Sequence, residues 1–140
     1  MSKVAVVYWS GTGNTEAMAE AVAAGAKEKG AETAVFTAGE FDASAVDSVD
    51  AIAFGCPSMG AEELEDSEFL PMFSSCEAKL QGKKIALFGS YGWGDGEWMR
   101  KWEETCISDG AVLARDSVIC NEAPDDDAIA SCKALGASLA

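Results

Sequence analysis

The stretch Lys3-Val4-Ala5-Val6-Val7-Tyr8-Trp9-Ser10-Gly11-Thr12-Gly13-Asn14-Thr15 decides the fold. Its first seven residues form a continuous apolar, β-branched run, the pattern of a strand buried on both faces, and they lead straight into a loop of glycines and hydroxyls. Beyond Thr15, the residues Met18, Ala21, Val22, Gly25 and Ala26 recur at helical spacing until Lys29-Gly30 closes the pattern. The spacing predicts an amphipathic helix.

Working outward, the same alternation repeats. Strands are expected over residues 32–36, 50–55, 84–90 and 111–120, each a short apolar run. Between them a short helix is expected over 42–49. A third helix starts at Ser67 and carries Phe69, Met72, Phe73 and Cys76, with Pro71 tolerable near its first turn. A fourth is striped by Trp98, Met99, Trp102 and Cys106. The last opens on Asp125, Asp126 and Asp127, which complement its dipole, and turns Ile129, Cys132, Leu135 and Leu139 inward. Strict alternation with buried-type strands implies right-handed βαβ units. The expected fold is an α/β, doubly wound, five-stranded parallel sheet of order 2-1-3-4-5 with helices on both faces, one domain over residues 1–140. In such sheets ligands bind beyond the C-terminal strand ends at the topological switch point, here between the first and third strands.

The loop after the first strand carries the sharpest chemistry. Ser10, Thr12, Asn14 and Thr15, with Gly11 and Gly13, stand at a helix N-terminus, where free amides and the positive dipole end favour an anion. It reads as a phosphate cradle. The Walker spacing is absent, and Glu16 occupies the third glycine position of a dinucleotide fingerprint. No basic residue occurs between residues 4 and 26, so neutral donors alone would hold the phosphate. Two further loops, Cys56-Pro57-Ser58-Met59-Gly60 and Ser90-Tyr91-Gly92-Trp93-Gly94-Asp95-Gly96, set Met59 and Trp93 among small residues at the same sheet edge. A flat ring could be sandwiched there. Trp98 and Trp102, spaced i, i+4 on a helix, are read as core.

Composition narrows the chemistry. The 140 residues hold 10 Lys plus Arg against 24 Asp plus Glu, a net charge of −14, and no histidine. Without imidazole, Ser-His-Asp and Cys-His nucleophile systems and histidine zinc sites are excluded. The acidic balance argues against nucleic acid and anionic membrane surfaces. No apolar run approaches the roughly 20 residues of a membrane span, and Met1-Ser2-Lys3 enters a strand rather than a signal peptide, so a cytoplasmic location is expected. Cys56, Cys76, Cys106, Cys120 and Cys132 are scattered, with no CxxC pair, and are expected as reduced thiols packed as small apolar residues.

Taken together, YWSGTGNTE at 8–16, GCPSMG at 55–60 and FGSYGWGDGEWM at 88–99 resemble the flavodoxins, specifically the short-chain type with Met and Trp flanking the flavin. The resemblance runs along the whole chain. It implies a low-potential one-electron carrier, not an enzyme, with non-covalent FMN cycling between semiquinone and hydroquinone. It assigns Ser10, Thr12, Asn14 and Thr15 to the phosphate, with Gly11 and Gly13 allowing close backbone approach and Ser90 a further contact. Met59 and Trp93 match the two stacking positions, within loops that include Ser58 and Tyr91. Gly60 matches the residue whose carbonyl turns toward flavin N5, by rotation of the Met59-Gly60 peptide. Glu62 matches the acceptor for N3, Gly92 and Gly94 match donors at the pyrimidine edge, and Asn121 matches a ribityl contact. Ala61 departs from the acidic residue that some relatives carry there.

Glu62, Glu63, Glu65, Asp66, Glu68, Asp95 and Glu97 crowd the same loops. Their field should disfavour an anionic reduced flavin and provide a docking surface for basic redox partners, namely reductases and ferredoxin-type clients, of a monomeric protein. The alternative is a small FMN-dependent NAD(P)H or quinone reductase, which would need cationic contacts that these loops lack. A phosphoacceptor domain would need acids where Tyr8-Trp9-Ser10 stand.

Overall fold

The computed structural model describes residues 2–60 and 62–140. Strands β1 (Lys3–Tyr8), β2 (Glu32–Thr37), β3 (Ala51–Gly55), β4 (Lys84–Tyr91), β5 (Val112–Leu113) and β6 (Val118–Asn121) alternate with helices α1 (Asn14–Glu28), α2 (Ala43–Val46), α3 (Phe69–Cys76), α4 (Glu97–Ser108) and α5 (Asp126–Ala137). All pairings are parallel, in the order β2-β1-β3-β4-β5, with β6 also on β4. The expected order holds, and the first and third strands are neighbours at its centre.

Side chains of a strand point alternately to opposite faces. Ala5 and Val7 of β1, with Ile52, Phe54, Ile85 and Leu87, meet α3 and α4 on one face, whereas Val4, Val6, Ala51, Ala53, Ala86 and Phe88 meet α1 and α5 on the other. The first face is aromatic. Phe54 and Phe73 stand edge-on at 5.2 Å between ring centroids, and Trp102 meets Phe69 and Phe73 edge-on at 5.4 and 5.7 Å. The second face is built for close approach: a Cβ on Gly25 of α1 would lie 1.9 Å from the Lys133 carbonyl oxygen, and one on Gly136 of α5 would lie 1.8 Å from that of Val22. The two helices touch backbone to backbone at these glycines.

The fifth strand departs from expectation. Instead of one run over 111–120, β5 ends at Leu113 opposite Ile85, and β6 resumes at Val118 opposite Phe88, so residues 114–117 stand opposite only Ala86 and Leu87. Arg115 and Asp116 in this bulge are exposed, so the charged side chains of this edge stay out of the sheet. The second helix is also shorter than expected, four residues capped by Asp42, whose side chain accepts the Ser44 amide at 3.0 Å. The third begins at Phe69 rather than Ser67. The last is capped by Asp125 through the Ala128 amide at 2.8 Å, with Asp126 and Asp127 in its first turn. All five cysteines are free thiols; burial pushes those of Cys56, Cys106 and Cys132 up to about 12, which leaves them inert.

Candidate functional site

At the C-terminal edge of the sheet lies an open cleft of about 470 Å³, lined by Trp9, Gly11, Thr12, Asn14, Pro57, Ser58, Met59, Ser90, Tyr91, Gly92, Glu122 and Ala123. Four loops build it, those after β1, β3, β4 and β6. The expected residues Gly11, Thr12, Asn14, Ser58, Met59, Ser90, Tyr91 and Gly92 therefore come together in space. Ser10, Gly13, Thr15, Gly60, Glu62, Trp93, Gly94 and Asn121 sit around the cleft without lining it.

The β1–α1 loop is shaped by its own polar groups. Ser10 Oγ accepts the Gly13 amide at 3.0 Å, and Gly13 caps α1 with φ of 95°. Neither Asn14 nor Thr15 is the cap. Among the described residues the amides of Gly11, Thr12, Asn14 and Thr15 donate to no acceptor in the protein. Four unpaired donors at a helix N-terminus fit an oxyanion, and the dipole adds to them. Thr15 is buried and its Oγ1 meets Ser90 Oγ at 2.9 Å, which ties this loop to the end of β4.

The remaining walls suit a flat ring. Met59 is 37% exposed and Trp93 63% exposed, both large for loop residues with nothing over them, and a Cβ on Gly92 would meet no atom within 4 Å. Met59 lies in the cleft wall, whereas Trp93 stands outside it on the loop that follows. Met59 exchanges two backbone hydrogen bonds with Glu63, at 2.8 and 2.9 Å, closing a tight turn with Gly60 at φ 52° and Glu62 at φ 57°. Within this turn the Met59 carbonyl accepts the Glu63 amide. Ala61 lies outside the described residues.

The acidic loops separate into distinct roles. Glu62 is only 6% exposed, and its Oε1 accepts the Asp95 amide at 3.0 Å. Burial of Glu65 opposes its ionisation. It is outweighed by the amides of Phe69, Glu68 and Ser67, each at 2.8 Å, and by the Ser67 hydroxyl, which together hold the carboxyl at about 2. Glu65 thus anchors the start of α3 rather than joining an exposed acidic surface. Glu63, Asp66, Glu68, Asp95 and Glu97 are exposed.

Sequence reasoning missed Trp9, Pro57, Glu122 and Ala123. Trp9 was read as the strand's last apolar residue, yet it lines the cleft, donates Nε1 to Glu68 at 3.2 Å, and packs so closely that a Cβ on Gly11 would lie 3.0 Å from its ring. Glu122 and Ala123 line the cleft where Asn121 was expected; Asn121 is still paired in β6 opposite Tyr91. Arg100 was missed as well, because its link to Asp95 spans the start of a helix. Trp98 and Trp102 are buried core residues, as expected.

The family model described as flavodoxin matches residues 6–135. The chain is 47% identical over 137 residues to flavodoxin from Megasphaera elsdenii, covering 98% of each, and 45% identical over 121 residues to that from Clostridium beijerinckii, covering 86% of this chain and 88% of the relative. Among solved structures, that of two-electron reduced Megasphaera elsdenii flavodoxin superposes with a TM-score of 0.90 at 47% identity over 97% of both chains. A flavodoxin from the domain Archaea gives 0.84 at 31% identity, covering 98% of this chain and 95% of that one. With its sheet order and these relatives, the chain belongs to the flavodoxin family.

Proposed function

We propose that the chain, as one unit over residues 1–140, holds FMN non-covalently and carries electrons one at a time between redox proteins, as flavodoxins do, without catalysing a reaction of its own. The observation that carries this reading is the set of unpaired amides of Gly11, Thr12, Asn14 and Thr15, among the described residues, at the head of a cleft walled by Met59 and Tyr91. FMN, when bound, supplies reversible one-electron chemistry, and the protein binds and tunes it.

In this reading the amides and hydroxyls of Ser10, Thr12, Asn14 and Thr15 hold the phosphate as neutral donors, with Gly11 and Gly13 admitting it to the backbone. Ser90 is bonded to Thr15 and so orients that hydroxyl. Met59 and Trp93 cover the two faces of the ring, with Ser58, Tyr91, Gly92 and Gly94 along its edge and Asn121 beside the ribityl chain. The Gly60 carbonyl and the Glu62 carboxylate are the acceptors offered to ring N–H groups. Exposed carboxylates of Glu63, Asp66, Glu68, Asp95 and Glu97 disfavour added negative charge at the site, which lowers the reduction potential, and they steer basic surfaces of reductases and ferredoxin-type clients toward it. We take the protein to act as a cytoplasmic monomer. Among the described residues no helix is long and apolar enough to cross a membrane. The reductase alternative gains no support, because the cation that reaches the 91–96 loop, Arg100, is engaged by Asp95.

Anaerobic titration of the purified protein tests the reading. A yellow protein with one FMN per chain, reduced in two separate one-electron steps, is the expected result. A colourless protein that cannot be reconstituted with FMN overturns it, and rapid NADPH oxidation without a partner favours the reductase.

A further inference from the structure

Three glycines, Gly92, Gly94 and Gly96, make the loop around Trp93 costly to order, because glycine loses more backbone freedom on fixing than any other residue. Among the described residues the backbone groups of Gly92, Trp93 and Gly94 make no hydrogen bond within the protein. Asp95 is the tether. Its amide donates to buried Glu62 Oε1 at 3.0 Å, its carbonyl accepts from Arg100 Nη1 at 3.1 Å, and its Oδ1 accepts from Arg100 Nη2 at 3.0 Å. The Glu62 carboxylate lies directly against the loop, since a Cβ on Gly94 would sit 1.6 Å from its Oε1. Arg100 itself projects from the first turns of α4, an element fixed in the core by Trp98, Met99 and Trp102.

We propose that Arg100 is a positioning residue for FMN binding: its forked guanidinium grips the Asp95 carbonyl and carboxylate together and holds the Trp93 loop against the buried Glu62 carboxylate. The inference rests on the FMN reading above. It assigns Arg100 a geometric task that charge alone cannot perform, because a planar fork satisfies two acceptors at fixed separation and an ammonium group does not. The guanidinium also pre-orders a glycine-rich segment before the ring arrives, so that less ordering remains at the moment of binding.

The test separates fork from charge by comparing Arg100→Lys and Arg100→Gln. FMN dissociation constants and the 15N heteronuclear NOE of the Trp93 indole, identified through Trp93→Phe, are measured with and without FMN. The expected result is that both variants bind FMN about three- to fivefold more weakly, and that both lower the Trp93 NOE in the FMN-free protein. Wild-type behaviour of Arg100→Lys, with only Arg100→Gln affected, reduces Arg100 to a charge and overturns the proposal. So does unchanged FMN affinity in both variants. Should the parent protein fail to bind FMN, the functional reading fails on that count alone, while the NOE of the FMN-free variants still decides whether Arg100 holds the loop.

Discussion

Thr15 Oγ1 and Ser90 Oγ lie 2.9 Å apart in a buried hydroxyl pair that fastens the first turn of α1 to the end of β4, and the Ser90 amide adds a longer bond of 3.4 Å to the same Thr15 oxygen. One hydroxyl donates to the other, which leaves one hydroxyl hydrogen for a ligand oxygen. Because Ser90 is followed by Tyr91 and Gly92 of the cleft wall, the pair fixes the β1–α1 loop relative to that wall.

Both residues are buried, so removing one member leaves the other hydroxyl without its partner. Thr15→Val or Ser90→Ala alone should therefore cost about 1 to 3 kcal/mol of stability, and the double variant less than the sum of the two. Urea unfolding of the four proteins without FMN measures the coupling. Strictly additive losses would mean that the pair contributes nothing beyond packing.

Trp93 is 63% exposed, so its contribution depends on what covers it. Trp93→Ala should leave the unfolding free energy of the FMN-free protein unchanged while weakening FMN binding by about 1 to 3 kcal/mol through lost stacking and burial. Fluorescence titration beside chemical unfolding gives both numbers. Lower stability with intact affinity would place Trp93 in a structural role.

Much of this arrangement is legible in the residue pattern, and what escapes it does so for physical reasons. Strand order and the two-faced core follow from short buried runs alternating with helical periodicity, because Val4 and Val6 can face only one side of the sheet and Ala5 and Val7 only the other. The break near Arg115 is invisible to hydrophobic pattern alone, since a bulge depends on the partner strand's register. Trp9 reads as the strand's end because its apolar ring continues the run; only the chain's turn at Ser10 swings it into the cleft. Glu65 and Glu62 look like members of one acidic surface, and only the fold buries them, one beneath the α3 amides and one against Asp95.

Gly60 and Gly94 both have positive φ, at 52° and 89°, but they differ in surroundings. A Cβ on Gly60 meets nothing within 4 Å, whereas one on Gly94 collides with Glu62 Oε1. Gly60→Ala should thus cost only the left-handed backbone penalty of about 1 to 2 kcal/mol, leave oxidised FMN affinity intact and lower the first one-electron potential. Gly94→Ala should displace Glu62 from Asp95 and weaken FMN binding itself. Equal affinities and potentials in both variants and the parent would remove any role for this loop pair in tuning the flavin.

The last prediction concerns Glu77 and Asp109, which follow the C-terminal ends of α3 and α4, where helix dipoles already disfavour negative charge. Asp109 Oδ2 is buried and has no donor unless Glu77 carries a proton; burial of Glu77, with the hydrogen bond that proton makes to Asp109 and the Asp109 charge, raises its carboxyl to about 7. Lys79 is paired with Asp47, Lys83 donates to the Val49 carbonyl, and Lys101, which lines a groove with Glu77, is paired with Glu97; Glu103 and the buried Cys106 thiol lie in the same neighbourhood. A proton on Glu77 meets the need of Asp109 Oδ2. The folded state holds that proton above pH 4.5, where the unfolded chain releases it, so the stability it contributes is complete below about 4.5 and is lost as pH rises through about 7. Solvent screening at this half-buried site limits the loss to on the order of 1 kcal/mol. Glu65, held at about 2, acts in the opposite sense and only below this window, its contribution disappearing as pH falls from 4.5 toward 2. Unfolding free energies of the parent and Glu77→Gln between pH 5 and 8 isolate the effect, since the glutamine amide donates to Asp109 at every pH. The parent should lose stability relative to the variant across that interval. Parallel curves would show that Glu77 and Asp109 share no proton.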